Sequence, residues 1–259
     1  MKKYLFLYSI IILAAVSCKS TVDFSNPGGN TPPPTQGNSD LLISELATAI
    51  NTDPAAGSVR NHYVELYNGT TGIVDLSQYA IGYQATTDLA TLSPWSFPTG
   101  NYFVMKGLLT AGRCYVVASP QVDAAVVKYD TTWGTTSTTA ANSSSPLQLS
   151  GNSAIALLKK DAAGTYVLNG ANYKIIDVFG SPLVARLTST GATSSRNNLI
   201  WATAGEVADT RNRTFFRKKT VTDPTTNWVL AAGTSATDSQ WTLSGDRAWD
   251  YTNVGLPTP

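Results

Sequence analysis

The segment from Leu41 to Gln84 constrains the fold more than any other part of the chain. Within it, the run HYVELY alternates, so that Val64 and Leu66 face one side and the intervening residues face the other. A period of two is what a half-buried β-strand requires, because successive side chains leave the backbone on opposite faces. Asn68 and Gly69 follow directly, and both residue types tolerate the positive φ of tight reversals. We therefore predict a small antiparallel sheet here.

Further extended segments follow along the chain. The runs NYFVM, RCYVVAS, AIALLKK, YKIIDVFG and RTFFRKKTV are short, rich in β-branched and aromatic residues, and separated by polar loops. One short helix is predicted at residues 120–129, and long polar loops at 130–146 and 181–199. With no internal repeat, residues 40–259 are predicted to form one all-β domain, and their number is ample for one large core.

The N-terminus has the pattern of an export signal. Lys2 and Lys3 precede a short apolar run, which ends in small residues and Cys18. That run is too short to cross a bilayer, so residues 1–17 are predicted to be a signal peptide. The cysteine at the cleavage position resembles that of bacterial lipoproteins, and the resemblance implies that Cys18 carries a covalent lipid.

Residues 18–39 are predicted to be a disordered tether, because they contain several prolines and glycines and almost no apolar side chains. Removing residues 1–17 takes away two lysines and leaves 16 basic against 17 acidic residues in the rest of the chain. This balance lacks the basic footprint of a nucleic-acid-binding protein. Nucleic acid is therefore not an expected partner.

Three motifs occur in order: LLISEL, HYVELYNGT and VDLSQYAI. Together with a later IIDVFG strand, they resemble the lamin tail domain family in its secreted bacterial form. The resemblance implies an immunoglobulin-like β-sandwich. It also implies structural roles for the residues at the matching positions, which are Ser44, Glu45, Glu65, Asn68, Gly69, Asp75, Leu76, Asp177 and Gly180.

The inventory of reactive groups argues against catalysis. His62 is the single histidine, and we predict it to be a solvent-facing residue at a strand edge. Cys114 is flanked by apolar residues and is predicted to be a buried small hydrophobe. One histidine and one free thiol do not supply the usual zinc ligands. Asp250 is predicted to stabilise the closing turn rather than bind calcium. No cofactor or metal is expected, and the chain is predicted not to be an enzyme.

The carboxylates Glu45, Glu65 and Asp177 are a conceivable acid–base set, but they belong to different strands and no spacing argument brings them together. We predict turn or cross-strand hydrogen bonds for them. A glycosidase pair nevertheless stays open, because acids that are distant in sequence can meet in a fold.

Basic and aromatic residues alternate around Arg213 and Arg217. This strand is either a solvated edge protected by charge or a surface that reads an acidic polymer. Trp95 and Trp133 lie in polar loops, where they either stack on sugars or plug the ends of the sandwich. Trp201, Trp228 and Trp241 are predicted core residues. We place these three tryptophans in the core because apolar residues flank them in the sequence.

These features predict an exported protein, anchored to a bacterial membrane by lipid, that acts as a non-enzymatic binding or structural module of the cell envelope. Its partner would be the membrane and either an envelope protein or a glycan. Two alternatives stay open: an accessory module of a secreted nuclease or phosphoesterase system, and a glycan-binding protein that uses loop aromatics.

Overall fold

The computed structural model describes residues 39–48, 61–84, 92–134, 147, 153–185, 187–188, 199–206, 213–245 and 248–256. The strands are β1 Leu42–Ala47, β2 Tyr63–Tyr67, β3 Val74–Asp75, β4 Tyr79–Gln84, β5 Tyr102–Val104, β6 Leu108–Leu109, β7 Cys114–Ala118, β8 Thr131–Thr132, β9 Ala154–Lys160, β10 Tyr166–Leu168, β11 Ala171–Phe179, β12 Leu187–Thr188, β13 Leu199–Ile200, β14 Thr214–Arg217 and β15 Trp241–Leu243. A helix, α1, spans Trp228–Ala232.

Two sheets form a sandwich. The first has the strand order β15-β14-β1-β2-β7-β8 and the second β10-β11-β9-β4-β5, with β3–β6 and β12–β13 as separate two-stranded ribbons. All pairings are antiparallel except β7 with β8. The predicted all-β sandwich is confirmed, as are the strands predicted from alternation at HYVELY and RCYVVAS.

The core lies between the sheets. Val64 and Leu66 enter it from β2, as the alternation predicts, and Ile81 and Leu157 enter it from the second sheet. Aromatic rings fill its centre, where the ring of Phe179 lies 4.8 Å from Phe215, 5.0 Å from Trp228 and 5.4 Å from Trp241. Burial of such rings contributes strongly to the stability of the sandwich.

A β-bulge in β1 decides which residues face the core. The pairing with β2 skips from Ile43 to Glu45, so Ser44 is an extra residue in β1. Because of this insertion, Ile43 and Leu46 both face the core although they are three positions apart, and Glu45 faces outward. β11 has a second bulge, between Ile175 and Asp177.

The outer face of the first sheet is also covered. Tyr63, Val116 and Ala118 form a second apolar cluster with Val127 and with Val254 of the C-terminal segment 249–256. The ring of Tyr251 in this segment lies 6.2 Å from that of Tyr63. The first sheet is therefore buried on both faces around β2.

Two local predictions are wrong. The segment 120–129 forms turns rather than a helix, because the side chains of Ser119 and Asp123 accept backbone N–H groups two residues further on. Neither Asn68 nor Gly69 has a positive φ. The chain instead continues from β2 through a loop held by the Asn68 side chain.

Residues Gln36–Pro259 form one compact unit, which contains both sheets and the core. This segment therefore has the apolar burial that it needs to fold on its own. The boundaries at residues 17 and 39 stay predictions, and Cys18 lies outside the described residues. Within the described part of the chain, no helix has the length and apolar character that would let it cross a membrane.

Candidate functional site

Asp177 and Arg217 form an ion pair between the two sheets. The Asp177 oxygens lie 3.3–3.4 Å from the two terminal guanidinium nitrogens of Arg217, and both side chains are essentially inaccessible to solvent. We call this contact the inter-sheet ion pair. Arg217 also donates to Gln240 Oε1 at 2.7 Å, and its guanidinium lies 4.8 Å from the centre of the Trp241 ring.

The position of Asp177 follows from strand pairing. β14 pairs with β1 only from Glu45 to Ala47, so the N–H of Ile43 lies beyond that ladder. Asp177 accepts this N–H at 2.9 Å and the N–H of Thr225 at the same distance. Burial raises the pKa of Asp177, while Arg217 and the backbone donors act in the opposite direction. The carboxylate fastens β11 to β1.

The prediction that Arg213 and Arg217 lie on a solvated edge or a polymer-binding surface is wrong. β14 lies between β1 and β15, and the two arginines are only 6% and 2% exposed. Arg213 donates to Ser244 O at 2.8 Å and lies 3.5 Å from a Glu206 oxygen. The second neighbour of β14 is β15, which comes from a later segment of the chain. The local sequence pattern around Arg213 and Arg217 does not reveal this pairing.

Glu45 and Glu65 meet on the outer face of the first sheet. They are directly opposite each other in the β1–β2 pairing and are 1% and 0% exposed. The Tyr63 hydroxyl donates to Glu45. Glu65 accepts the Ser44 hydroxyl and the Gly255 N–H, both at 2.7 Å. We call these two acids the outer-face carboxyl pair.

Among the residues that the structure describes, no cation forms an ion pair with either acid. Burial raises the pKa of Glu45 to about 8; the Tyr63 hydrogen bond opposes the rise and the charge of Glu65 adds to it. Burial also raises the pKa of Glu65. Because like charges directly opposite each other destabilise a sheet, protonation of Glu45 at neutral pH relieves the contact. The sequence offered no spacing argument that brings the two acids together, and the register of β1 with β2 is what does so.

The pair is nevertheless unsuited to acid–base catalysis. A glycosidase needs both carboxyl groups beside the scissile bond. Here both acids are at most 1% exposed, and the C-terminal segment covers Glu65, to which the Gly255 N–H bonds. The predicted hydrogen-bonding role for Glu45 and Glu65 fits this geometry, in which the acids hold β1, β2 and the C-terminal segment together.

Cys114 borders the same cluster. It is half-buried rather than fully buried as predicted, because it lies at the start of β7, next to the exposed Arg113. Its Sγ donates to Leu256 O at 3.1 Å. Burial and the neighbouring Glu65 raise the pKa of the thiol.

Asn68 organises the loop after β2. Its Nδ2 donates to Leu109 O at 2.8 Å and Gly72 O at 2.9 Å, while its Oδ1 accepts the Thr70 hydroxyl at 2.7 Å. Gly69 is the half-buried next residue. The Thr70 N–H also donates to Oδ1, at 3.0 Å, so this one asparagine side chain makes four polar contacts.

The remaining motif residues also have structural surroundings. Asp75 accepts the Ser77 N–H at 2.9 Å and caps a 3-10 turn in which Leu76 is buried. Gly180 has φ of 72°, and a Cβ there would come within 2.6 Å of the Trp201 ring. Only glycine satisfies both conditions.

The two loop tryptophans differ. Trp133 is 6% exposed and stacks on Phe103 with ring centres 6.0 Å apart, so its interpretation as a plug is favoured over sugar stacking. Trp95 is half-buried and stacks on Phe97 at 5.6 Å. The three tryptophans predicted to be core residues are confirmed, with Trp201, Trp228 and Trp241 at most 3% exposed.

His62 is not solvent-facing as predicted. It is 4% exposed, and its Nδ1 lies 2.9 Å from Leu147 O. Asp250 accepts the Thr252 N–H at 2.9 Å and thus stabilises a turn, as predicted. Within the described ranges, no three His, Cys, Asp or Glu side chains are close enough to hold a metal ion.

Comparison with known proteins agrees with this architecture. The model of the Lamin Tail Domain family matches residues 34–250. No curated protein and no solved structure shows significant similarity to the chain. The matching family has an immunoglobulin-like β-sandwich fold, as do the two packed sheets described above. Because the match covers most of the sequence, this chain belongs to the lamin tail domain family.

Proposed function

We propose that this chain is a lipid-anchored protein of the bacterial cell envelope and that its sandwich is a non-catalytic binding or structural module. The proposal of a non-catalytic module rests on the burial and hydrogen bonding of the three acids in the family motifs. Glu45, Glu65 and Asp177 are at most 1% exposed, and each accepts hydrogen bonds from the protein itself. Carboxyl groups that could otherwise act in catalysis thus hold strands together through these hydrogen bonds.

The family supports this proposal at a coarser level. Lamin tail domains are non-catalytic immunoglobulin-like modules. The anchor is supported by the sequence alone, in which Lys2 and Lys3, an apolar run and Cys18 occur in the order of a lipoprotein signal. Several acyl chains hold a protein to a membrane stably, whereas one chain binds it only marginally.

Fatty-acid labelling tests the anchor. In cells supplied with labelled palmitate, we expect the wild-type chain to be labelled and Cys18→Ala to be unlabelled and unprocessed. Cys114→Ala is the matched control, because it removes the other cysteine and should leave labelling unchanged. Labelling of the Cys18→Ala variant would show that the anchor is misassigned.

A panel of glycoside, ester, phosphoester and peptide substrates tests the absence of catalysis. We expect no turnover by residues 36–259, and no difference on Glu45→Gln or Glu65→Gln. Turnover that either substitution abolishes in a folded protein would overturn the module interpretation, because it would mean that the buried pair can reach a substrate.

Trp95 favours a second candidate function, glycan binding. Its ring is partly exposed and stacks on Phe97, whose ring lies over Gly82 of β4. A rigid, partly exposed aromatic face suits stacking on a ligand. Binding on a glycan array that is lost in Trp95→Ala and retained in Trp249→Ala, another partly exposed tryptophan, would support it. An array without binding removes this candidate.

A further inference from the structure

The strand pairings show where the chain enters the sandwich. Leu42 of β1 is opposite Tyr67 of β2, and Tyr67 is opposite Cys114 of β7. The start of β1, the end of β2 and the start of β7 therefore lie at one end. Ser39, the first described residue, directly precedes this end of β1. We call it the tether end.

The β3–β6 ribbon lies at the same end and presents two aliphatic side chains to solvent. In the ribbon, Val74 pairs with Leu109 and Asp75 with Leu108. Leu109 is buried, so the alternate positions Ile73 and Leu108 share the outward face. They are 65% and 71% exposed, so both present most of their aliphatic surface to solvent.

Ile73 and Leu108 are exposed, but not because the ribbon is frayed. Asn68, just after β2, bonds to the carbonyl of Leu109 in β6 and to that of Gly72, two residues before β3, and the Leu76 N–H donates to Gly107 O at 2.9 Å. These bonds hold both strands against the sandwich. The exposed aliphatic pair is therefore a fixed feature of the surface.

Exposed cations lie close to the ribbon along the chain. Lys106 and Arg113 are exposed on the segments that flank β6. The pKa of Asp75 is lowered mainly by hydrogen bonds from Ser77 and Gln78, and the charge of Lys160, an exposed residue at the end of β9, adds to this shift. Asp75, opposite Leu108, is the acid within the ribbon, and it caps the following turn through the Ser77 N–H. The described side chains immediately around the aliphatic pair thus carry an excess of positive charge.

We propose that the tether end docks on an anionic phospholipid surface, with Ile73 and Leu108 entering the interface and Lys106 and Arg113 contacting lipid phosphates. Aliphatic side chains flanked by cations are the pattern of interfacial membrane binding. The proposal rests in part on the proposed anchor, because a lipid on Cys18 would bring this end to the bilayer.

Cosedimentation with vesicles tests the docking without the anchor. Residues 36–259 lack Cys18 and should bind vesicles that contain phosphatidylglycerol, bind phosphatidylcholine vesicles more weakly, and be released by salt. Ile73→Ser with Leu108→Ser should weaken binding about tenfold or more, as should Lys106→Glu with Arg113→Glu. All four positions are exposed, so the variants should fold normally.

Matched controls lie at the opposite end. The Asp123 N–H donates to the Asn61 side chain, just before the start of β2, and Val126, three residues after Asp123, is 42% exposed. Val126→Ser should leave vesicle binding unchanged, as should Lys128→Glu in the same exposed segment.

Failure to bind phosphatidylglycerol vesicles, or equal losses in these controls, would overturn the docking proposal. A dimer that dissociates on substitution of Ile73 and Leu108, without vesicle binding, would assign the surface to a second copy of the chain. Neither outcome touches the anchor, which the labelling of Cys18 tests separately.

Discussion

The inter-sheet ion pair and the outer-face carboxyl pair lie on opposite faces of the first sheet. Both contain buried carboxyl groups, but the groups that stabilise those carboxyls differ. Asp177 has a guanidinium and two backbone N–H donors. Glu45 and Glu65 have hydroxyl and backbone donors but no cation within the described residues. The first arrangement preserves charge inside the protein, whereas the second tolerates burial by holding a proton. The two regions should therefore respond differently to mutation and to pH.

The largest expected effect on stability comes from removing the guanidinium of the inter-sheet ion pair. Arg217→Met leaves Asp177 buried without a counter-ion, and we expect the free energy of unfolding of residues 36–259 to fall by about 4 kcal/mol. Urea denaturation at neutral pH measures it.

The double variant Arg217→Met with Asp177→Asn should recover part of that loss, because it removes the uncompensated charge and keeps an acceptor for the backbone donors. Lys128→Met, at an exposed position, should change stability by less than about 0.5 kcal/mol. A cost for Arg217→Met as small as that of Lys128→Met would show that the inter-sheet ion pair does not hold the sheets together.

The outer-face pair should make stability depend on pH. The folded pKa of Glu45, about 8, is above its ordinary value of 4.5, so between these pH values the unfolded chain loses a proton that the folded chain keeps. The free energy of unfolding should therefore fall as pH rises through this window and level off above it. We expect a loss on the order of 5 kcal/mol, from a rise of about 3.5 pKa units at about 1.4 kcal/mol each.

Glu45→Gln isolates this contribution, because it removes the titrating group and keeps the shape of the side chain. Its denaturation midpoint should depend less on pH than that of the wild type and should exceed it at the alkaline end. Equal pH profiles for the two proteins would mean that Glu45 is ionised in the folded state. Glu206→Gln, at a half-exposed acid on another part of the surface, is the control.

Sequence alternation predicted the strands, and the family motifs marked the structural acids, but register determined what those acids do. The bulge at Ser44 interrupts the period of two, so alternation alone does not place Glu45 on the face of Glu65. Similarly, β14 looked like an edge because its partner β15 comes from a segment more than twenty residues later. The C-terminal cover over the pair depends on contacts such as that of Gly255 with Glu65, which have no local signal.

The smallest expected effect concerns Cys114, the single cysteine of residues 36–259. Its thiol donates to Leu256 O and lies near Glu65, and burial together with that carboxyl raises its pKa. Because the thiolate is the reactive form, we expect iodoacetamide to alkylate native protein at pH 8 at least about tenfold more slowly than denatured protein. Glu65→Gln should speed the native reaction severalfold, since it removes a charge that opposes thiolate formation, whereas Glu206→Gln should not. If native and denatured rates are equal, the C-terminal segment does not shield this face in solution, and the contrast between a covered carboxyl pair and a buried ion pair fails.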